Sequence, residues 1–248
     1  MDLGISGRTA AVAAGSAGLG FGSAKALADE GVRVAICGRD EQKLDRAVAS
    51  IGNGCVGFVC DVSTVDGARS FVAQATAALG HIDILVANGG GPKPGTFTSI
   101  DLEDYAPAIE RSMLATVAMC KDVIPAMQSR GWGRVVAITS SSVRQPIANL
   151  ILSNSARSGL TSFLKTVSRE VANDGVTVNT VQPGSHATDR IKQLYGESLQ
   201  GAADGIPAGV IGDPMDFGKV VAFLCGDAAK FVTGANLQVD GGAYSGLI

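Results

Sequence analysis

The chain has 248 residues, 46% of them hydrophobic and 17% charged, enough apolar sequence to bury a large core without staples in what reads as one domain, residues 1–248. A formal net charge of −3 with no run of like charge excludes the basic footprint of a nucleic-acid binder and the polybasic patch of a membrane-surface protein. Five cysteines, at 37, 55, 60, 120 and 225, form no CxxC pair and no metal spacing, and their odd count argues against a disulfide framework; no metal and a cytoplasmic address are expected. The first residues lack a secretory pattern, and no apolar run is long enough for a transmembrane helix.

Short β-branched runs at 9–14, 32–37, 56–59, 84–87, 134–139, 176–181 and 236–239 read as strands, with amphipathic or apolar helical stretches between them. Such alternation predicts an α/β fold: a doubly wound, seven-stranded parallel sheet with helices on both faces. The first strand runs into Ala13-Ala-Gly-Ser-Ala-Gly-Leu-Gly20 and then a helix over 21–30. In that context Gly15, Ser16, Gly18, Leu19 and Gly20 form an anion cradle, because glycines admit a pyrophosphate to the backbone and the helix start supplies unpaired N–H groups. Arg39 follows the second strand, where it can pair with the 2′-phosphate of NADP or stand solvated in its loop. Asp40 is placed to cap the next helix.

After the third strand, Asp61-Val62 offers a carboxylate that can accept from an adenine amino group or cap the helix beginning near Thr64. Gly80 closes that helix ahead of the fourth strand, and GGGPKPG at 89–95 reads as a loop over a site. Asp101 precedes a helical stretch, Ser140 ends the fifth strand, and Gly175 closes the helix ahead of the sixth.

These spaced motifs resemble the short-chain dehydrogenase/reductase family, in particular its β-ketoacyl-carrier-protein-reductase-like members, over essentially the whole chain, including the closing FVTGANLQVDGG at 231–242. The resemblance implies a Rossmann fold binding NADP, with NAD possible, and a small carbonyl or alcohol as substrate. It carries cofactor contacts onto Gly15, Ser16, Gly18, Leu19, Gly20, Arg39, Asp61, Val62, Asn88, Gly89, Arg157, Pro183, Gly184 and Thr188. Ala13 and Ala14 stand where the family pattern has Thr and its first Gly, and the Ala14 methyl narrows the approach to the cofactor. Relatives vary over residues 191–210 to suit their substrates. They pair through the helices after strands four and five and the C-terminal segment, so a homo-oligomer, a tetramer, is expected.

The family's reducing site uses Asn, Ser, Tyr and Lys. Ser140 matches the serine, but Ser112, Ser153 and Arg157 fall on the other three positions. A serine hydroxyl is not acid enough to replace a phenol, and an arginine does not readily release a proton. Ser140, Ser153 and Arg157 are therefore the expected catalytic set, with the proton supplied in a non-standard way, for instance by a water held at Ser153 and Arg157. His186, Asn154, Tyr195, Arg144 and Gln145 are weaker candidates beside that set. The competing expectation is a catalytically silent dinucleotide-binding member with a sensing or regulatory role.

Overall fold

In a computed structural model, which describes residues 2–189, 191, 192, 196, 199 and 201–247, seven parallel strands form one sheet in the order β3-β2-β1-β4-β5-β6-β7. The strands are β1 (Thr9–Val12), β2 (Arg33–Gly38), β3 (Val56–Val59), β4 (Ile84–Ala87), β5 (Gly133–Ile138), β6 (Val176–Pro183) and β7 (Asn236–Val239). The helices are α1 (Gly18–Asp29), α2 (Glu41–Ile51), α3 (Val65–Leu79), α4 (Tyr105–Ile109), α5 (Ala115–Arg130), α6 (Ile151–Val171) and α7 (Pro214–Cys225).

Successive strand residues point to opposite faces, and two cores follow. Ala11, Leu85, Val135 and Ala137 pack with α3, α5 and α6 on one side. Ala10, Val12, Ile84, Val86, Val136 and Ile138 pack with α1, α2 and α7 on the other. The expected doubly wound sheet is thus the observed one.

Boundaries shift at functional joints. The first strand stops at Val12, two residues short of the expected end, because Ala14 turns into the left-handed region with φ 47°. α1 starts at Gly18, three residues earlier than expected, so Gly18, Leu19 and Gly20 are its first turn. Asp40 caps α2 as expected, its carboxylate accepting from Lys43 N at 2.9 Å. The cap of α3 is Thr64, whose hydroxyl accepts from Gly67 N at 3.1 Å; Asp61 accepts instead from Ser63 N at 3.0 Å, which removes the capping alternative for Asp61.

Between α4 and α5 the helix widens into a π turn, Glu110–Leu114. A π turn carries one extra residue in the helical ladder and re-aims the side chains it contains. Among the described residues, no helix is long and apolar enough to cross a membrane, and no group of His, Cys, Asp or Glu could hold a metal ion.

Candidate active site

The order of strands reverses between β1 and β4, and there the carboxyl edge of a doubly wound sheet opens a crevice. The turn after β1 forms one wall. Ala14 N–H donates to Cys37 Sγ at 3.3 Å; burial pushes that thiol up to about 12, so it stays an uncharged partner. The Ala14 carbonyl accepts from Asn88 Nδ2 at 3.3 Å, tying the β4 loop to the turn. A Cβ on Gly20 would collide with that same carbonyl, so glycine there is imposed by close packing of helix on turn. At the far side, a Cβ on Gly38 would lie 2.5 Å from Ser16 Oγ.

The residue before α1 is Ala17, whose side chain has no oxygen to cap the helix, and no side chain there accepts from the first-turn N–H groups. The helix start is therefore left with donors in need of an acceptor. Thr188 crosses in front of it: a Cβ on Gly18 would sit 3.3 Å from Thr188 Cγ2. Gly89 and Gly90 line the β4 loop, and a Cβ on either would meet nothing within 4 Å, so their lack of a side chain answers to no protein neighbour. Pro183 ends β6, and Gly184, the next residue, donates to the Val239 carbonyl at 3.0 Å while a Cβ on it would press on Asp240 at 2.8 Å.

At one end of the crevice, Arg39 is exposed beyond β2 and Asp61 lies beyond β3. Burial pushes the Asp61 carboxyl up, but the Ser63 hydrogen bonds and the charges of Arg39 and Arg111 outweigh it and hold it below its usual range. Val62 is buried against the α3 core and lines a small cavity with Asn88 and Gly89.

At the other end, Ser140 follows β5 and its oxygen accepts from Ser142 N at 3.1 Å, leaving its own O–H free to donate elsewhere. Ser153 is buried in the first turn of α6. One turn on, the buried Arg157 guanidinium donates through Nη1 to the carbonyls of Ile138 (3.0 Å) and Thr139 (3.1 Å) and through Nη2 to that of Gly89 (3.4 Å). It clamps the end of β5 to the loop after β4, beside both Ser140 and Asn88.

The weaker candidates separate. His186 is buried, edge-on to Phe217, with Nδ1 3.2 Å from the Gly184 carbonyl; burial pushes its pKa down, against the opposing pull of that carbonyl, Asp213 and Asp240. Asn154 donates to the Ile147 carbonyl at 2.9 Å. Arg144 reaches the Asn236 carbonyl at 3.4 Å and the ring of Tyr244, on the β7 side, while Gln145 is exposed. Tyr195 lies outside the described residues.

Sequence reasoning passed over Glu110 and Arg111. Glu110 Oε1 accepts from Val65 N, the first amide of α3, at 3.1 Å, and Arg111 lines the cavity beside Val62, Asn88 and Ser112. A lone acid and base in a helical stretch read as solvated, and nothing local announces the π turn that aims them inward.

Comparison with known proteins places this geometry. A family model described as enoyl-(acyl carrier protein) reductase matches residues 13–244. The chain is 30% identical over 244 residues to the 3-oxoacyl-[acyl-carrier-protein] reductase FabG of Vibrio cholerae, covering 98% of this chain and 99% of that one. It is 30% identical over 249 residues to the human dehydrogenase/reductase SDR family member 4, covering 98% of this chain and 90% of the relative. Among solved structures, L-sorbose reductase from Gluconobacter frateurii, complexed with NADPH and L-sorbose, superposes with a TM-score of 0.93 at 28% identity over the full length of both chains.

Proposed function

The chain belongs to the short-chain dehydrogenase/reductase family, and from that membership we propose that it is an oxidoreductase using NADP(H), with NAD(H) the second cofactor candidate, to interconvert a carbonyl and an alcohol. The observation that carries the proposal is the uncapped start of α1 facing Thr188 across a turn made tight by Gly20. Unsatisfied amides at a helix start suit a diphosphate. The cleft thus fits the cofactor, which when bound supplies or accepts the hydride. In a relative of matching fold, L-sorbose reductase, NADPH is the cofactor bound.

In this reading Gly15, Ser16, Gly18, Leu19, Gly20 and Thr188 hold the diphosphate. Arg39 faces the 2′-phosphate, and Asp61 with Val62 meets the adenine. Asn88, Gly89, Pro183 and Gly184 line the nicotinamide half. Ser140 donates its free O–H to the substrate oxygen. Ser153 and Arg157 stand where the family pattern has its proton-donating tyrosine and its lysine. An aliphatic hydroxyl cannot be tuned to give up a proton near neutrality, so the proton comes from a water held at Ser153. Arg157 keeps a positive charge in the site but spends its donors on backbone carbonyls. It acts mainly by fixing the strand ends that carry Ser140 and Asn88, and its reach to the cofactor ribose is secondary.

Calorimetric titration tests the cofactor step: NADPH binds, and Arg39→Ala weakens NADPH roughly tenfold while leaving NADH alone. Absence of heat with either nucleotide at millimolar concentration overturns the assignment. Turnover is tested with a panel of ketones and sugars under NADPH, and of alcohols under NADP. The partner is then a small molecule, with no nucleic acid or membrane involved, and the protein works in the cytoplasm as a homotetramer.

A second reading, a dinucleotide-binding protein without turnover, is favoured by the engagement of Arg157 with three carbonyls. The double change S153Y/R157K separates the two. Activity that appears only in the double variant supports the silent reading, whereas activity in the unmodified protein that the double variant loses supports a distinct working site.

A further inference from the structure

Beneath the clamp that Arg157 makes lies a cavity of about 10 Å³, lined by Asn88, Gly89, Arg111, Ser112, Thr116 and Arg157. That is the room one water needs, and a water there requires two to four polar partners. One wall supplies an unmet one: Ser112 is 5% exposed, and its Oγ is buried with no hydrogen-bond partner among the described residues. A hydroxyl buried without a partner costs on the scale of a lost hydrogen bond, so its persistence calls for an explanation.

We propose that Ser112 is the positioning residue for Arg157: its small side chain leaves space for the guanidinium, and its hydroxyl holds a single water that seats the guanidinium against the strand-end carbonyls. Ser112 belongs to the π turn, which packs directly on α6, the helix that carries Arg157. The extra residue in that turn lets three successive side chains face three different structures. Glu110 meets the start of α3, Arg111 the Asp61 side, and Ser112 the cavity under Arg157. A larger residue at 112 has no room in a cavity of this size and must push the guanidinium away from Ile138, Thr139 and Gly89. Ser112 and Arg157 therefore form one coupled unit: a small residue is required at 112 because a large one stands at 157.

The test is a double-mutant cycle on the full-length protein, read as NADPH affinity and thermal midpoint. Ser112→Asn alone is expected to weaken NADPH at least tenfold and lower the midpoint by several degrees. Adding Arg157→Lys, which frees volume, is expected to restore much of both, leaving S112N/R157K within threefold of R157K in affinity. Effects of the two changes that simply add on a logarithmic scale overturn the proposal. Should S112N fail to fold, Ser112→Ala carries the test: a threefold or larger loss of affinity when Arg157 is intact, and none when R157K is already in place, supports it. An equal effect in both backgrounds, or none in either, overturns it. The affinity arm rests on the dinucleotide reading; if the unmodified protein binds no NADPH, that reading fails, while the thermal arm still reports whether the two residues are coupled.

Discussion

Ala14 holds a φ of 47° at the tightest point of the β1–α1 turn, with its N–H on Cys37 Sγ and its carbonyl on Asn88. An L-residue other than Asn or Asp in the left-handed region costs about 1 kcal/mol, which the two hydrogen bonds offset. Ala14→Gly is expected to relieve that strain and raise the melting midpoint by ~2–4 °C, the shift that about 1 kcal/mol produces in a domain of this size. Differential scanning fluorimetry is sufficient to measure it, and an unchanged or lower midpoint would mean the turn is not strained. His186 makes a pH-dependent prediction of definite sign. Its folded pKa lies below the ordinary 6.5, so above that value neither state is charged and the residue contributes no pH slope. As pH falls through about 6.5 the unfolded chain takes up a proton that the buried imidazole refuses, and stability is lost. The unmodified protein should therefore lose more of its melting midpoint between pH 7.5 and 5.5 than His186→Asn does; parallel curves would remove His186 as the cause.

The π turn illustrates what one element does for its neighbours. Glu110 supplies the acceptor for the first amide of α3, joining the helix that precedes α5 to the loop that carries Asp61. A carboxylate at a helix start stabilises by about 1 kcal/mol. Glu110→Ala is accordingly expected to lower the midpoint by ~2–4 °C and to weaken NADPH binding, because the β3–α3 loop loses its tether. Loss of stability with unchanged affinity would confine the residue to folding. Elements of this kind mark the limit of what the sequence discloses. Strands β3, β4 and β7 are legible to the residue, since each is a short run with β-branched or aliphatic residues set between turn signals. Asp40 and Gly80 are legible because capping chemistry is local. The π turn is not, for its extra residue is fixed by packing between α3 and α6, contacts distant in sequence. Nor does an alanine announce a positive φ, or an arginine at 157 its attachment to carbonyls 18, 19 and 68 positions away.

At the scale of the molecule, helices among the described residues cover both faces of the sheet, β3 and β7 are its two end strands, and apolar side chains remain outside. Phe231 is 98% exposed in the segment that leads into β7, and Leu237 on β7 and Phe223 on α7 are exposed as well. A second group, Phe97, Leu102, Ile109 and Leu114, is exposed along the segment that leads into and through the π turn. Exposed apolar side chains of this size invite association, and a folded protein usually covers them. In the tetramer proposed above, each patch is assigned to one of two different twofold interfaces, since two intersecting twofolds close such an assembly. Light scattering on the eluted protein should thus give about four times the 25.1 kDa of one chain. Leu237→Glu places a charge in one interface only, and Leu114→Glu in the other. Each is expected to halve the mass to that of a dimer and the pair together to give monomers, with the NADPH affinity of each dimer retained because the cofactor residues proposed above all come from one chain. A monomeric unmodified protein would overturn the assembly. A tetramer indifferent to both changes would place its interfaces elsewhere on the surface.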